Sequence, residues 1–362
     1  MPTHDHTPGY GHDYDPHELG AAGFPYTTQA DYLPVPGQAL GPIVGRERLA
    51  KGYYTEEIND GVHYVTNGFY DAMFIQTGNG VIVVDTPPLL GENMRRAVAD
   101  VTDEPVTHFI YSHWHKDHNG ASGIWGPDVT YIGHQATRDN LLRWPDSSPA
   151  PTEVFTTSST LDIHGVKIEM TYPGQNHCEG NSFIYAPKQK VLAAIDILTP
   201  GWSTFRACDA SESIRGWVDA HDQILKYDFK GLVAGHLTRW GSRADAEESH
   251  EYIQDMVAIS KEGLVQCGYL EILERIGLSN GWVLWENYLN DVTNWVTKTV
   301  LTKTTSNGQT WAQRLAGADV STKYHIYCIL MSLRLESGVH SKMETEVFMP
   351  KPAQNGAVPA HA

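Results

Sequence analysis

"YSHWHKDHNG", residues 111–120, places three histidines and an aspartate within six consecutive positions, His113 to His118. In an extended segment, residues two apart point the same way, so His113 and His115 present their imidazoles to one point. Adjacent Asp117 and His118 reach inward only if the chain turns, and Asn119-Gly120 supplies turn residues directly after them. The run "HFIYS" just before the cluster reads as a buried strand, and α/β architectures place their ligand sites at the C-terminal ends of such strands. Neutral imidazoles with a carboxylate form a ligand set that zinc accepts, and the carboxylate also suits harder metals such as iron or manganese.

Working outward, short β-rich runs begin at about residue 60. "GVHYVTNG", "DAMFIQTG" and "GVIVVDT" are punctuated by glycines and turn residues and read as consecutive antiparallel strands. "GENMRRAVADV" reads as a helix, "GASGIWG" as the start of one, "VTYIG" as a strand, and "HQATRDNLLRW" as a helix. "LDIHGVKIEMTYPG" reads as a β-hairpin, and "SFIYAP" and "KVLAAID" as two further strands. "ESIRGWVDAHDQILKYDF" gathers Ile214, Trp217, Val218, Ile224 and Leu225 on one helical face, "GLVAGH" is the last clear strand, and 243–262 the next helix. Residues 1–45, rich in Gly, Pro, His and Asp without periodicity, read as an irregular arm, and its histidines lack flanking structure that would fix a metal geometry. After residue 262 the text becomes aromatic-rich and helical. Three segments are therefore expected: an arm at 1–45, a catalytic domain at 46–262 and a helical extension at 263–362.

Composition narrows the function. The 362 residues carry a formal net charge of −17, with no basic cluster, which disfavours a nucleic-acid partner and favours small neutral or apolar ligands. No apolar run approaches the ~18 residues of a membrane span, so no membrane segment is expected. The N-terminus lacks the basic start and apolar stretch of a secretory signal, and Cys178, Cys208, Cys267 and Cys328 are scattered, so the default is a cytoplasmic protein with reduced thiols.

His113, His115, Asp117 and His118 resemble the HxHxDH signature of the metallo-β-lactamase superfamily, and the resemblance extends through residues 60–250. It implies an α+β fold, an αββα sandwich of two mixed sheets covered by helices. It further implies that the remaining metal ligands are His177 in "PGQNHCEGN", Asp196 in "VLAAIDIL" and His236 in "LVAGHLTRW", with strand-end Asp85 in "VIVVDTPP" supporting them. His113, His115 and His177 would hold one Zn2+ and Asp117, His118 and His236 a second, with Asp196 bridging; iron or manganese are alternatives. Cys178 stands beside His177, but the superfamily's cysteine ligand corresponds to the position of Asp196. A metal-bridged hydroxide would then be the nucleophile and Asp117 the proton carrier.

Retention of Asp196 makes the chain look more like the lactone, thioester and phosphodiester hydrolases of the superfamily than its β-lactamases. The expected function is hydrolysis of a small-molecule ester, lactone or thioester; alternatives are a β-lactamase-type or other amide or phosphodiester hydrolase, or a mononuclear iron dioxygenase of sulfur compounds. The pocket walls are expected to include "LLRWPDSSPAPTEVF" and the tryptophan-rich extension. There Trp282, Trp285, Leu289, Val292, Val296 and Val300 form a stripe that calls for a cover, either the catalytic domain or a second subunit of a homodimer.

Overall fold

The computed structural model describes residues 49–237 and 239–349, and the expected arm at 1–45 lies outside them. Strands β1 (Tyr54–Asn59), β2 (Val62–Thr66), β3 (Asp71–Gln76) and β4 (Val81–Val84) form an antiparallel meander; β5 (Val106–Ile110), β6 (Thr130–His134) and β7 (Glu153–Phe155) continue the sheet in parallel. The seven strands lie in sequence order. A second sheet of five strands pairs β8 (Ser158–Ile163), β9 (Val166–Thr171), β10 (Phe183–Ala186) and β11 (Val191–Ala193) antiparallel, with β12 (Gly231–Val233) parallel to β11.

The two-residue period of the strands explains the layers. Along β3, Met73 and Ile75 turn inward to meet Ile168, Met170 and Ile184 of the second sheet, while Ala72 and Phe74 turn outward. The outward residues pack with Met94, Ala97 and Val98 of α1 (Glu92–Ala99) and Leu141 of α3 (Gln135–Arg143). Burial on both faces is why "VIVV" of β4 reads as an unbroken apolar run. On the far side, Phe183, Tyr185 and Leu192 pack on Trp217, Ala220 and Ile224 of α5 (Ile214–Ile224). The result is the αββα sandwich.

Helix α6 (Arg243–Gln266) starts with a capping box, in which Ser242 and Asp245 exchange hydrogen bonds, and runs through the boundary expected at 262/263. Beyond it come α7 (Leu270–Ile276), α8 (Gly281–Thr302), α9 (Trp311–Arg314) and α10 (Ala318–Leu335). Trp285, Leu289, Val292, Val296 and Val300 are buried in one hydrophobic cluster that runs unbroken from β10 and β11 through α5 and α6 to α10. Gly263 permits the close approach of α8: a Cβ there would stand 2.5 Å from Val296 Cγ2. Trp282 departs from the expected stripe. It stands 78% exposed in the first turn of α8. No helix among the described residues is long and apolar enough to cross a membrane.

Candidate metal centre

The decisive stretch folds as its residue types require. β5 ends at Ile110, His113 lies in the loop beyond, and His115 is the N-cap of the single turn α2 (Lys116–Asn119), which brings Asp117 and His118 round to the same side. The Asn119 side chain donates to the His113 carbonyl at 2.9 Å and fixes the turn. His177 arrives on the loop after β9, Asp196 just after β11, and His236 after β12. Asp85 and Asp196, both at strand ends, have φ of 61°, a left-handed conformation that aspartate tolerates better than most side chains. Gly235 beside His236 has φ of +96°, and a Cβ there would stand 3.0 Å from both Asp196 Oδ1 and His118 Cε1.

All seven expected side chains converge. The donor atoms of His113, His115, His177 and Asp196 lie within 4.8 Å of one another, as do those of Asp117, His118 and His236. Asp196 joins the two groups: its Oδ2 is 3.4 Å from His113 Nε2, 3.3 Å from His177 Nε2 and 3.1 Å from His118 Nε2, and its Oδ1 is 3.2 Å from His236 Nε2. His177 Nε2 faces His115 Nδ1 at 2.9 Å, and His118 Nε2 faces His236 Nε2 at 3.2 Å. Buried His113 Nε2 and Asp196 Oδ1 have no hydrogen-bond partner among the described residues. Facing imidazole nitrogens and unpartnered buried donors around one carboxylate are the chemistry of a cation site, so the residues fit the metals that the fold implies.

The electrostatics agree. Burial holds His113 well below its ordinary range and His115 down to about 4, so both are neutral imidazoles, the form that ligates. Burial alone would raise Asp196, but His118, His177 and His236 hold it well below the usual carboxylate range. Burial would also pull His236 down, but Asp196 outweighs it and lifts that ring to about 10. A carboxylate that is 2% exposed requires positive charge beside it, whether protons on His118 and His236 or a cation.

Asp85 acts through Ser112. The Ser112 backbone N–H donates to Asp85 Oδ1 at 2.9 Å, its hydroxyl donates to Asp85 Oδ2 at 2.5 Å, and Ser112 Oγ lies 2.8 Å from His113 Nδ1. His113 Nδ1–H therefore donates to Ser112 Oγ, which leaves Nε2 as the lone-pair nitrogen facing Asp196. Cys178 is fully buried and contributes to neither group of donors.

Residues 65–236 match the Metallo-beta-lactamase superfamily, a span that contains every one of these side chains. The chain carries a metallo-beta-lactamase superfamily domain. It is 28% identical over 230 residues to the 2,4-dinitroanisole O-demethylase subunit alpha of Nocardioides sp. (strain JS1661), covering 62% of this chain and 69% of that protein. It is 26% identical over 195 residues to a metallo-beta-lactamase type 2 of Bacteroides fragilis, covering 50% and 77%. Among solved structures, a metallo-beta-lactamase from Pontibacter korlensis covers 56% of this chain and 99% of its own, at 20% identity and a TM-score of 0.49.

Within the metallo-beta-lactamase domain the metal-site residues floor a cavity of about 620 Å³. Phe69, Tyr70, Trp202, Phe205, Leu237 and Val320 give it mostly apolar walls. The expected wall "LLRWPDSSPAPTEVF" takes no part, because its chain supplies the edge strand β7 and turns Trp144 into solvent. The region after 262 contributes Gly317, Val320 and Ser321 at the start of α10, not the tryptophans of α8, whose buried members are used in helix packing. The segment 199–210 forms the largest wall and carried no sequence signal.

Three further side chains escaped the sequence reading. Tyr70 Oη lies 3.5 Å from Asp117 Oδ2, with its ring 4.9 Å from that of His236. Asp71, fully buried at the start of β3, accepts from Tyr64 Oη at 2.7 Å, and burial raises it to about 7; a carboxylate opening an apolar strand was its available signal. Asp209, in the turn α4 (Arg206–Ala210), also faces the cavity, and burial together with Asp196 raises it to about 8.

Proposed function

We propose that this chain is a dinuclear metal-dependent hydrolase, with zinc as the metal, that cleaves a small, largely apolar ester, lactone or thioester. The observation that carries the reading is the convergence of two donor groups on Asp196. His113, His115 and His177 would hold one cation, Asp117, His118 and His236 the other, and Asp196 would serve both. When bound, such cations would supply a hydroxide nucleophile from water near neutral pH and would polarise the scissile carbonyl. The rest is the work of the chain itself. Asp117, half-exposed at the cavity floor, carries the proton to the leaving group, and the Tyr70 hydroxyl orients its carboxylate. Phe69, Trp202, Phe205 and Val320 bind the apolar part of the substrate and keep water off the reacting bond.

Two donor groups favour this reading over a mononuclear iron oxygenase, which needs one. The Nocardioides relative bears the name of an O-demethylase of a dinitroaryl ether, and the aromatic walls suit such a substrate too. The relatives named as metallo-beta-lactamases keep a β-lactam in view. The test is a panel of aryl ester, lactone, thioester, β-lactam and activated aryl methyl ether substrates, run with and without chelator. Chelator-sensitive turnover of the carbonyl substrates is expected; turnover confined to the ether or the β-lactam would displace the ester-class assignment. Four free cysteines support a cytoplasmic setting, and a homodimer formed through the C-terminal helices completes the proposal, to be checked by light scattering.

A further inference from the structure

Turn α4 is wound the wrong way. Ala207, Cys208, Asp209 and Ala210 have φ of 56°, 56°, 59° and 52°, and none is glycine. For L-residues the left-handed conformation is disfavoured by the clash of Cβ with the following carbonyl oxygen, and it occurs as single residues, not as runs. Strain of this kind persists where the surroundings over-determine it, and it gathers at functional sites.

The surroundings here are explicit. The Cys208 backbone N–H donates to His325 Nδ1 of α10 at 2.8 Å, and His325 Nε2 lies 3.1 Å from Ser203 Oγ. The Asp209 N–H donates to the Phe205 carbonyl at 3.0 Å, and just beyond the turn the Glu212 N–H donates to the carbonyl of His177 at 2.8 Å. The turn is thus clamped between α10 and the loop that carries His177. What it delivers is the Asp209 side chain, which is 6% exposed and forms part of the cavity wall. A carboxylate oxygen of Asp209 and donor atoms of Asp196 and His236 all lie within 4.8 Å of one another. The Asp209 carboxylate accepts no hydrogen bond from any other described residue, so the positioning serves something other than the protein's own network.

We propose that Asp209 is an additional ligand of the second cation, presented by the left-handed turn alongside Asp196 and His236. The inference rests on the dinuclear reading above. It gives the two sites different characters. His113, His115 and His177 make a nitrogen-rich site, whereas Asp117, Asp196 and Asp209 with His118 and His236 make an oxygen-rich one, which suits a harder cation such as Mn2+.

The test uses metal-free full-length protein titrated with Zn2+ and, separately, with Mn2+ in competition with a chromophoric chelator, in wild type, Asp209→Asn and Asp209→Gly. Both replacements suit a left-handed residue, so they remove the carboxylate without opposing the turn. Two Zn2+ ions should bind the wild type; each variant should keep one at wild-type affinity and hold the other at least about 10-fold more weakly, the lower end of what losing even a supporting partner costs. The loss should be larger for Mn2+. If both variants hold two ions with wild-type affinity, or change only the thermal stability of the metal-free protein, Asp209 is not a ligand and the dinuclear reading stands. If the wild type itself binds fewer than two ions, both fall together.

Discussion

Asp85 and Ser112 are bound to each other twice, through the backbone N–H at 2.9 Å and the hydroxyl at 2.5 Å, and that double contact sets the tautomer of His113. Ser112→Ala keeps the backbone contact and removes the link to Nδ1. Zinc affinity at the His113 site should fall by roughly 10- to 100-fold with the fold intact, as measured by chelator competition and circular dichroism. Unchanged affinity would mean that the ring is oriented by its packing alone.

His221 gives a pH prediction remote from the metal centre. It is fully buried, its Nδ1 lies 2.9 Å from the Trp217 carbonyl, and burial holds it at about 4. The folded state therefore binds a proton less readily than the unfolded state, whose histidine titrates near 6.5. The resulting stability is fully present above pH ~6.5 and is lost as pH falls towards 4. Between pH 7 and 5.5 the wild type should lose roughly 1 kcal/mol more than His221→Gln in urea unfolding of the chelated protein. Equal losses would place the titrating group elsewhere.

Phe69 and Phe205 are large apolar side chains standing 66% and 70% exposed at the cavity. A contact that binds substrate and transition state equally lowers KM without raising kcat. Phe205→Ala should raise KM for an aryl ester by roughly 5- to 30-fold and leave kcat within a few-fold, in the range of one apolar contact. A fall in kcat at constant KM would assign the ring to the chemical step instead.

The helices after Gln266 share one core with the second sheet, so they are not dispensable. Leu289 and Val292 pack in the same cluster as Trp217 and Leu192. Leu289→Ala should cost about 2–5 kcal/mol in unfolding experiments. A chain ending at Gln266 should be insoluble, since it would expose the faces of α5 and α6 that α8 and α10 cover. A soluble, active truncation would show that the αββα sandwich folds without the helices after Gln266.

Legibility in the sequence followed physical locality. The HxHxDH cluster was legible because four ligands sit on one strand end and one turn. Strands β2 to β4 and β10 to β12 were legible because burial on both faces leaves apolar runs, and the hairpin of β8 and β9 because buried and exposed residues alternate along β9. β1 was not, since "YTEEIN" lies half-exposed at the sheet edge and carries no such run. β7 was hidden in a proline-rich stretch, three residues long and largely exposed. The cavity walls were least legible: Trp202, Phe205 and Val320 meet only through the tertiary fold, and nothing in "FRACDA" announces a left-handed turn. Trp282 shows the converse, a residue in helical register with the buried stripe that nonetheless stands 78% exposed.

The central claim is that two cations share Asp196, and elemental analysis of protein purified without added metal tests it most directly. About two zinc ions per chain are expected in the wild type, falling to about one in His118→Ala and His236→Ala, with chelation abolishing hydrolysis. One iron per chain with oxygen-dependent turnover would contradict the account.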